Sequence, residues 1–96
     1  VAFTPAQEAI NTDGLCGMSI SVLQIAGVAG TGGVRLQIIP RGDAVPYPTP
    51  ATVVPLGVPT LVEFGHIASR AVQVEATGSG VAGTPNIYRI LFMACI

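Results

Sequence analysis

Hydrophobic and polar residues alternate with a period of two along most of this chain of 96 residues, the pattern of strands that lie with one face on a core. In the first such run, residues 18–22, serines separate Met18, Ile20 and Val22. Further alternating runs occupy residues 34–38, 60–64 and 72–76, and a mostly apolar run occupies residues 87–96, with turn-forming residues between them. The periodicity predicts an all-β fold, a single small antiparallel β-sandwich of five to seven strands.

The pentapeptide GVAGT occurs twice, at residues 27–31 and 80–84, each time between two alternating runs. A Walker-type phosphate loop requires a lysine after its glycines, and this chain contains no lysine. A dinucleotide-binding turn requires a helix after the glycines, whereas a strand pattern follows both copies. Both copies are therefore predicted to be glycine-rich turns of β-hairpins, with no phosphate cradle.

The chain is predicted to form one domain, residues 15–96, preceded by a short N-terminal arm, residues 1–14, in which the alternation is absent. Residues 40–59 contain six of the eight prolines. Because proline lacks the N–H group that a central strand donates, this segment is predicted to be an extended loop or the edge of a sheet.

The last strand, residues 87–96, has no polar face, because both of its alternating sets of side chains are mostly apolar. A strand with one face in water normally alternates, so this one requires apolar cover on both sides. We expect one face to pack on the core and the other to contact a neighbouring subunit; cover by a loop or by the N-terminal arm is the alternative. The residues expected at the contact are Ile90, Phe92 and Ile96, with Arg89 and Arg70 making polar contacts at its edge.

Charged residues make up only 9% of the chain and hydrophobic residues 50%, whereas about 25% charged residues is usual in a soluble domain. This composition indicates burial against other subunits. No apolar run reaches the length of about 18 residues that a membrane helix needs, so no membrane contact is expected. The four arginines are scattered and the net charge is −1, so nucleic acid is not expected as a partner.

The sequence contains no recognisable catalytic or metal-binding motif. His66 is the only histidine, whereas a zinc site generally needs three or four ligands. A serine with His66 and Asp43 would be a formal triad, but no Gly-x-Ser-x-Gly nucleophile elbow occurs. Glu63 and Glu75 lie on successive predicted strands, where an acid pair is conceivable, and are interpreted as residues of solvated strand faces. The chain is therefore predicted not to be an enzyme and to have no catalytic residue, cofactor or metal.

One tyrosine and the two cysteines each leave two interpretations open. Tyr47, in the proline-rich segment, is a candidate for stacking on a ligand or a partner, or for anchoring its own loop. Cys16 and Cys95 are predicted to be free buried thiols, since two cysteines do not make a disulfide framework. They would pair only if the first and last strands are neighbours.

Residues 58–94, VPTLVEFGHIASRAVQVEATGSGVAGTPNIYRILFMA, contain four parts in a definite order. A strand that begins with threonine (residues 60–64) leads to a valine-rich strand (70–77), a glycine-rich link (78–83) and a closing strand (87–94). This order resembles the second half of small β-sandwich virion proteins of tailed bacteriophages. The same pattern also occurs in bacterial surface and carbohydrate-binding sandwiches.

The resemblance implies a structural role in a virion, with no catalytic residue to carry over. The expected protein is a capsid decoration or cement protein, assembled in the host cytoplasm, that binds major capsid or tail proteins as a homo-oligomer such as a trimer. A minor tail or fibre component is an alternative. A carbohydrate-binding or adhesin-type sandwich, extracellular or at a cell surface, is another, with Tyr47 and the proline-rich loop at the glycan site.

Overall fold

Two antiparallel sheets pack face to face in this chain. The structure, a computed structural model, describes residues 3–40, 42, 45–64 and 69–95. The strands within these ranges, numbered in chain order, are β1 (Phe3–Pro5), β2 (Ile10–Asn11), β3 (Gly17–Ala26), β4 (Gly33–Pro40), β5 (Tyr47–Pro48), β6 (Thr52–Val53), β7 (Thr60–Phe64), β8 (Ser69–Thr77) and β9 (Ile87–Cys95). The predicted all-β sandwich is confirmed.

The strands are divided between a six-stranded and a three-stranded sheet. The six-stranded sheet has the order β1-β8-β4-β5, with β2 also beside β8 and β6 also beside β4. The three-stranded sheet has the order β7-β3-β9. The long strands β3, β4, β7, β8 and β9 correspond to the alternating runs of the sequence, and the short strands lie at the edges of the six-stranded sheet.

The core lies between the two sheets and consists of the inward-facing residues of the long strands. In β3, Met18, Ile20 and Val22 are buried, and the serines between them are only partly covered. The other buried apolar residues are Val34, Leu36, Val54, Val72, Val74 and Ala76. Burying one of the larger side chains contributes about 1.5–3 kcal/mol, so this apolar layer is the main force that holds the sheets together.

Successive long strands lie in opposite sheets, so the chain crosses from sheet to sheet between them. β3 belongs to the three-stranded sheet and β4 to the six-stranded one, and β8 and β9 are divided in the same way. The β-hairpins predicted around the two GVAGT sequences are therefore wrong, because both links join sheets and not neighbouring strands. Two strands that face each other across a core have the same alternation as two strands that lie side by side.

The two GVAGT sequences nevertheless form the same turn. In each copy the threonine N–H donates a hydrogen bond to the valine carbonyl three residues earlier, at 3.3 Å. The glycine between them, Gly30 or Gly83, has a φ of 82° or 80°. This left-handed conformation is the one that a type II turn requires at its third residue, and glycine adopts it without strain. The repeated sequence is thus a repeated turn.

Asn86 connects the two links that cross between the sheets. Its Oδ1 accepts hydrogen bonds from the Val28 N–H at 3.0 Å and from Gln24 Nε2 at 3.1 Å. Its Nδ2 donates to Thr31 Oγ1 at 3.0 Å. Gln24 is completely buried, and its Nε2 is satisfied by these bonds, whereas its Oε1 has no hydrogen-bond partner among the described residues. Asn86 therefore fixes both links at the end of the sandwich where β9 begins.

A disulfide bond joins Cys16, directly before β3, to Cys95, the last residue of β9. The two strands are neighbours, Gly17 is paired with Cys95, and the Cα atoms of the two cysteines are 5.4 Å apart. The prediction of free buried thiols is wrong, because both residues are exposed and bonded to each other. Their separation of 79 positions conceals this contact in the sequence.

The N-terminal and proline-rich segments border the six-stranded sheet on opposite sides. β1 and β2 both pair with β8, and Gln73 Nε2 donates to the Gln7 carbonyl at 2.9 Å. The predicted arm thus contributes two short strands. On the other side, β5 and β6 pair with β4, as expected for a proline-rich segment at a sheet edge.

Candidate interaction surface

The outward face of the three-stranded sheet carries several large, exposed apolar side chains. In β3 the outward residues are Ser19, Ser21 and Leu23, because the residues between them face the core. Leu61 of β7 and Leu91 of β9 are both paired with Ser21, one on each side. Leu61 is 56% exposed and Leu91 is 52% exposed. Two large apolar side chains therefore flank Ser21 on the central strand, and we name this face the leucine–serine face.

The two charged residues of the leucine–serine face lie diagonally across Ser21. Outward-facing residues that are paired across the three strands form a row. Glu63 of β7 is paired with Ser19, in the row next to that of Ser21. Arg89 of β9 is paired with Leu23, one row away in the opposite direction. Within the described ranges neither Glu63 nor Arg89 takes part in an ion pair. The face thus carries one negative and one positive charge, each available to a partner.

A groove of about 400 Å³ opens on the same face, beside the disulfide bond. Ser19 lies at its centre, between Glu63 and Met93, and Cys95 lies at one end. The groove is open to solvent on one side. Such a shape fits a single side chain of a partner protein better than a small molecule, which binds in pockets that enclose most of its surface.

Both edges of this sheet are unpaired within the described part of the chain, with β7 at one edge and β9 at the other. β9 is long, and an apolar edge strand presents a row of N–H and C=O groups that can pair with another chain. Charged residues and bulges are the usual protection of such edges. Here Arg89 supplies a charge, and the pairing of β3 with β9 shifts register between Gln24 and Ala26.

The structure separates the residues that the sequence predicted for a subunit contact. Ile90 and Phe92 pack against the core, whereas Arg89 lies on the outward face. Arg70 is exposed, but it belongs to β8 in the other sheet. Ile96 lies outside the described residues. The predicted contact itself is not tested by this geometry, and the exposed large apolar side chains of β9 are those of the other alternating set, Ile87, Leu91 and Met93.

Tyr47, predicted to contact a ligand or a partner, lies on β5 at the edge of the six-stranded sheet. It is paired with Ile38 of β4, and its side chain is 54% exposed. Val53 of β6, on the same edge, is 72% exposed. This edge is a second exposed apolar surface, distant from the leucine–serine face. The role of Tyr47 in binding stays a prediction.

A cavity of about 460 Å³ opens between the sheets near the start of β9. Its lining includes Thr77, Asn86 and Tyr88, and these polar groups bond to the protein itself. The Tyr88 hydroxyl donates to the Thr77 carbonyl at 2.8 Å, and Asn86 holds the two crossing links. No charged side chain is among the described residues that line the cavity. Its polar groups thus serve the fold.

The two glutamates considered as an acid pair lie in different sheets. Glu63 is on the leucine–serine face, and Glu75 is on β8, where Arg35 Nε donates to its Oε1 at 2.8 Å. The interpretation of Glu75 as solvated is wrong, because it is only 8% exposed. Arg35 pairs with it across the strands and also stacks over the ring of Phe3, 4.5 Å from the ring centroid. The arrangement is a structural ion pair.

The described residues give no support to a catalytic triad or a metal site. His66 and Asp43, the remaining members of the formal triad, lie outside the described ranges. In the parts of the chain that the structure describes, no three His, Cys, Asp or Glu side chains come together in a group that could hold a metal ion. The same parts contain no helix long and apolar enough to cross a membrane.

Comparison with known protein families, with curated proteins and with solved structures gives no match. What this chain does is therefore inferred below from its own residues and surfaces.

Proposed function

We propose that this chain is a non-enzymatic structural subunit of a phage particle, a capsid decoration or cement protein that binds as an oligomer to a larger shell. The observation that carries the proposal is the leucine–serine face. Leu61, Leu91 and Met93 are each about half exposed there, on a rigid sheet. The largest apolar patch of a soluble protein is often a functional one, and exposed apolar side chains gathered on one face are a common sign of an interaction site.

The size of the face favours an assembly with many contacts. Three strands about 4.8 Å apart, over four outward rows about 6.8 Å apart, present roughly 400 Å². At about 25 cal/mol per Å² of apolar surface, burial of that area yields at most roughly 10 kcal/mol, because part of the face is polar. Association costs an estimated 4–15 kcal/mol, so a single contact of this size is weak. Repeated contacts on a shell raise the effective concentration and make weak contacts sufficient.

The edge formed by β5 and β6 supports the same function, because a shell subunit needs more than one contact surface. Tyr47 and Val53 expose apolar surface along that edge. It belongs to the six-stranded sheet, whereas the leucine–serine face belongs to the other. A subunit with apolar surfaces on both sheets can contact a second copy on one side and the shell on the other.

The disulfide bond supports a location outside a reducing cytosol. Structural disulfides persist in oxidising surroundings, including the surfaces of virions and cells. A particle assembled in the host cytoplasm would form the Cys16–Cys95 bond after release. The tail or fibre location and the cell-surface location remain as alternatives that the experiment below separates.

The test is to look for the chain in particles. Virions produced from the genome that encodes the chain are banded on a density gradient and labelled with gold-conjugated antibody against it. We expect the protein to sediment with the virions and the gold to decorate the capsid. Label on the tail alone would indicate the tail or fibre alternative, and label on the host cell surface with none on virions would refute the proposal.

Substitution of Leu91 by aspartate is expected to reduce the amount of protein bound to particles that have been stripped of it, by at least about tenfold. The carboxylate would have to lose its water in an apolar contact, which costs more than 1.4 kcal/mol, the equivalent of a tenfold change. The control is Val81→Asp, since Val81 is equally exposed at 52% but lies in a turn. Equal binding of both variants would exclude the leucine–serine face from the assembly.

A further inference from the structure

We propose that the leucine–serine face binds a second copy of this chain, face to face across a two-fold axis, with Glu63 of each copy against Arg89 of the other. This inference rests on the proposed function for the interpretation of the apolar face as an interface, and it names the partner. The juxtaposition that carries it is the diagonal placement of the two charges about Ser21.

The charge pattern is self-complementary under one particular rotation. Glu63 lies on one outer strand and one row above Ser21, and Arg89 lies on the other outer strand and one row below it. A two-fold axis that lies between the two copies, parallel to the face and above Ser21, and that runs perpendicular to the line from Glu63 to Arg89 exchanges these two positions. Each carboxylate then faces a guanidinium of the other copy. A two-fold contact of this kind makes both ion pairs at once.

The shape of the face fits the same rotation. With the standard spacing of strands and residues in a sheet, this rotation places the partner's Leu91 over the stretch between Ser19 and Ser21, where the side chains are small. The partner's Arg89 arrives at the groove of about 400 Å³ beside Glu63. Leu91 thus meets small side chains, the partner's Leu61 comes to lie over Leu23 in an apolar contact, and the guanidinium meets an open groove that contains a carboxylate. The strands of the two copies cross steeply, closer to the orthogonal class of sheet packing than to the aligned one.

Covering this face is favoured over pairing of the free β9 edges. Edge-to-edge pairing would satisfy backbone groups of β9, but it would leave Leu61, Leu91 and Met93 in water. Face-to-face packing covers all three. It also uses both charges, whereas Glu63 on β7 is remote from a β9–β9 contact.

The expected dimer is weak and depends on concentration. The face is only three strands wide, so two copies bury an area at the low end of the range of protein complexes, where contacts are weak. The purified protein is therefore expected to be mostly monomeric when dilute and to dimerise at high micromolar concentration. On a shell, where copies are held close together, the contact would be occupied.

Charge reversal tests the geometry. Sedimentation velocity over a range of concentrations measures dimerisation of the intact, disulfide-bonded chain. Glu63→Arg and Arg89→Glu are each expected to weaken it at least about tenfold, because each places like charges opposite each other. The double variant, Glu63→Arg with Arg89→Glu, is expected to restore it, because both ion pairs re-form with their signs exchanged.

Matched controls separate this effect from net charge. Glu8→Arg changes the net charge as Glu63→Arg does, and Arg70→Glu changes it as Arg89→Glu does, at exposed positions away from the face. Both controls are expected to dimerise like the unmodified protein. Circular dichroism confirms that each variant is folded.

Three results would overturn the inference: an unmodified protein that stays monomeric at high micromolar concentration, single reversals that dimerise normally, or a double variant without recovery. Dimerisation that survives every reversal would indicate pairing of β9 edges. The particle experiment is independent, since a dimer of this geometry absent from virions would refute the proposed function and leave the inference standing. A protein that is found on virions but stays monomeric in solution would refute the inference and leave the proposed function standing.

Discussion

Replacement of both cysteines by serine is expected to lower the free energy of unfolding by about 4 kcal/mol. The bond joins residues 79 positions apart, so it removes a large part of the conformational freedom of the unfolded chain. Small domains have a total stability of only about 5–15 kcal/mol, so the loss is severe. Equilibrium unfolding in urea measures it.

The wild-type chain provides the control for the cysteine replacement. Reduction of the unmodified protein should reproduce the loss, and the same reductant should leave the double variant, Cys16→Ser with Cys95→Ser, unchanged. Unfolding midpoints that coincide for the oxidised and reduced protein would contradict the expected contribution of the bond.

Substitution of Gly27 by alanine is expected to destabilise the protein by about 3–5 kcal/mol, the sum of backbone strain and overpacking. Gly27 has a φ of 124°, a conformation that L-residues rarely adopt. A methyl group there would also lie 2.7 Å from Asn86 Cα and would displace the Asn86 side chain. The hydrogen bonds that hold the two crossing links would be lost with it, which again urea unfolding would measure.

Substitutions at two other glycines separate the effect of backbone strain from the effect of overpacking. Gly30 has a φ of 82° but open space around it, so Gly30→Ala should cost only the strain, about 1–2 kcal/mol. Gly78 has neither constraint, and Gly78→Ala should change stability by less than about 0.5 kcal/mol. A Gly27→Ala variant no less stable than Gly30→Ala would show that Asn86 does not pack closely against the first link.

Alternation predicts the strands well but not which strands are neighbours. The serines of β3 mark its outward face correctly, since Met18, Ile20 and Val22 are the buried residues. Which strands become neighbours depends on backbone hydrogen bonds between segments remote in sequence. These bonds do not affect the alternation of hydrophobic and polar residues. The glycine-rich link after β3 is long enough either to turn back beside it or to cross the core, so the predicted hairpin and the observed crossing fit the same residues.

The residues of the leucine–serine face also could not be predicted from alternation alone. Both faces of β9 are apolar, so hydrophobicity does not decide whether Ile90 and Phe92 or Leu91 and Met93 point inward. The register with β3 decides it, because Ile90 lies beside Val22 and Phe92 beside Ile20, both core residues.

The Glu63–Arg89 diagonal and the disulfide bond also depend on registers across β3. Only the relative position of β7 and β9 on either side of β3 sets the two charges about Ser21. In the same way, only the pairing of Gly17 with Cys95 brings the two cysteines within bonding reach.

The crossing of the chain between sheets has a consequence for biosynthesis. β3, the first long strand among the described residues, is completed in its sheet by β9, the last strand among them. A nascent chain cannot close this sheet before β9 has left the ribosome, so β3 waits for a strand made about 60 residues later. Because its strand pairs are remote in sequence, folding should also be slow, as for other domains of high contact order. During that interval Ile20 and Val22 have β7 beside them but lack β9 on the other side, and a chaperone that shields apolar segments would raise the yield.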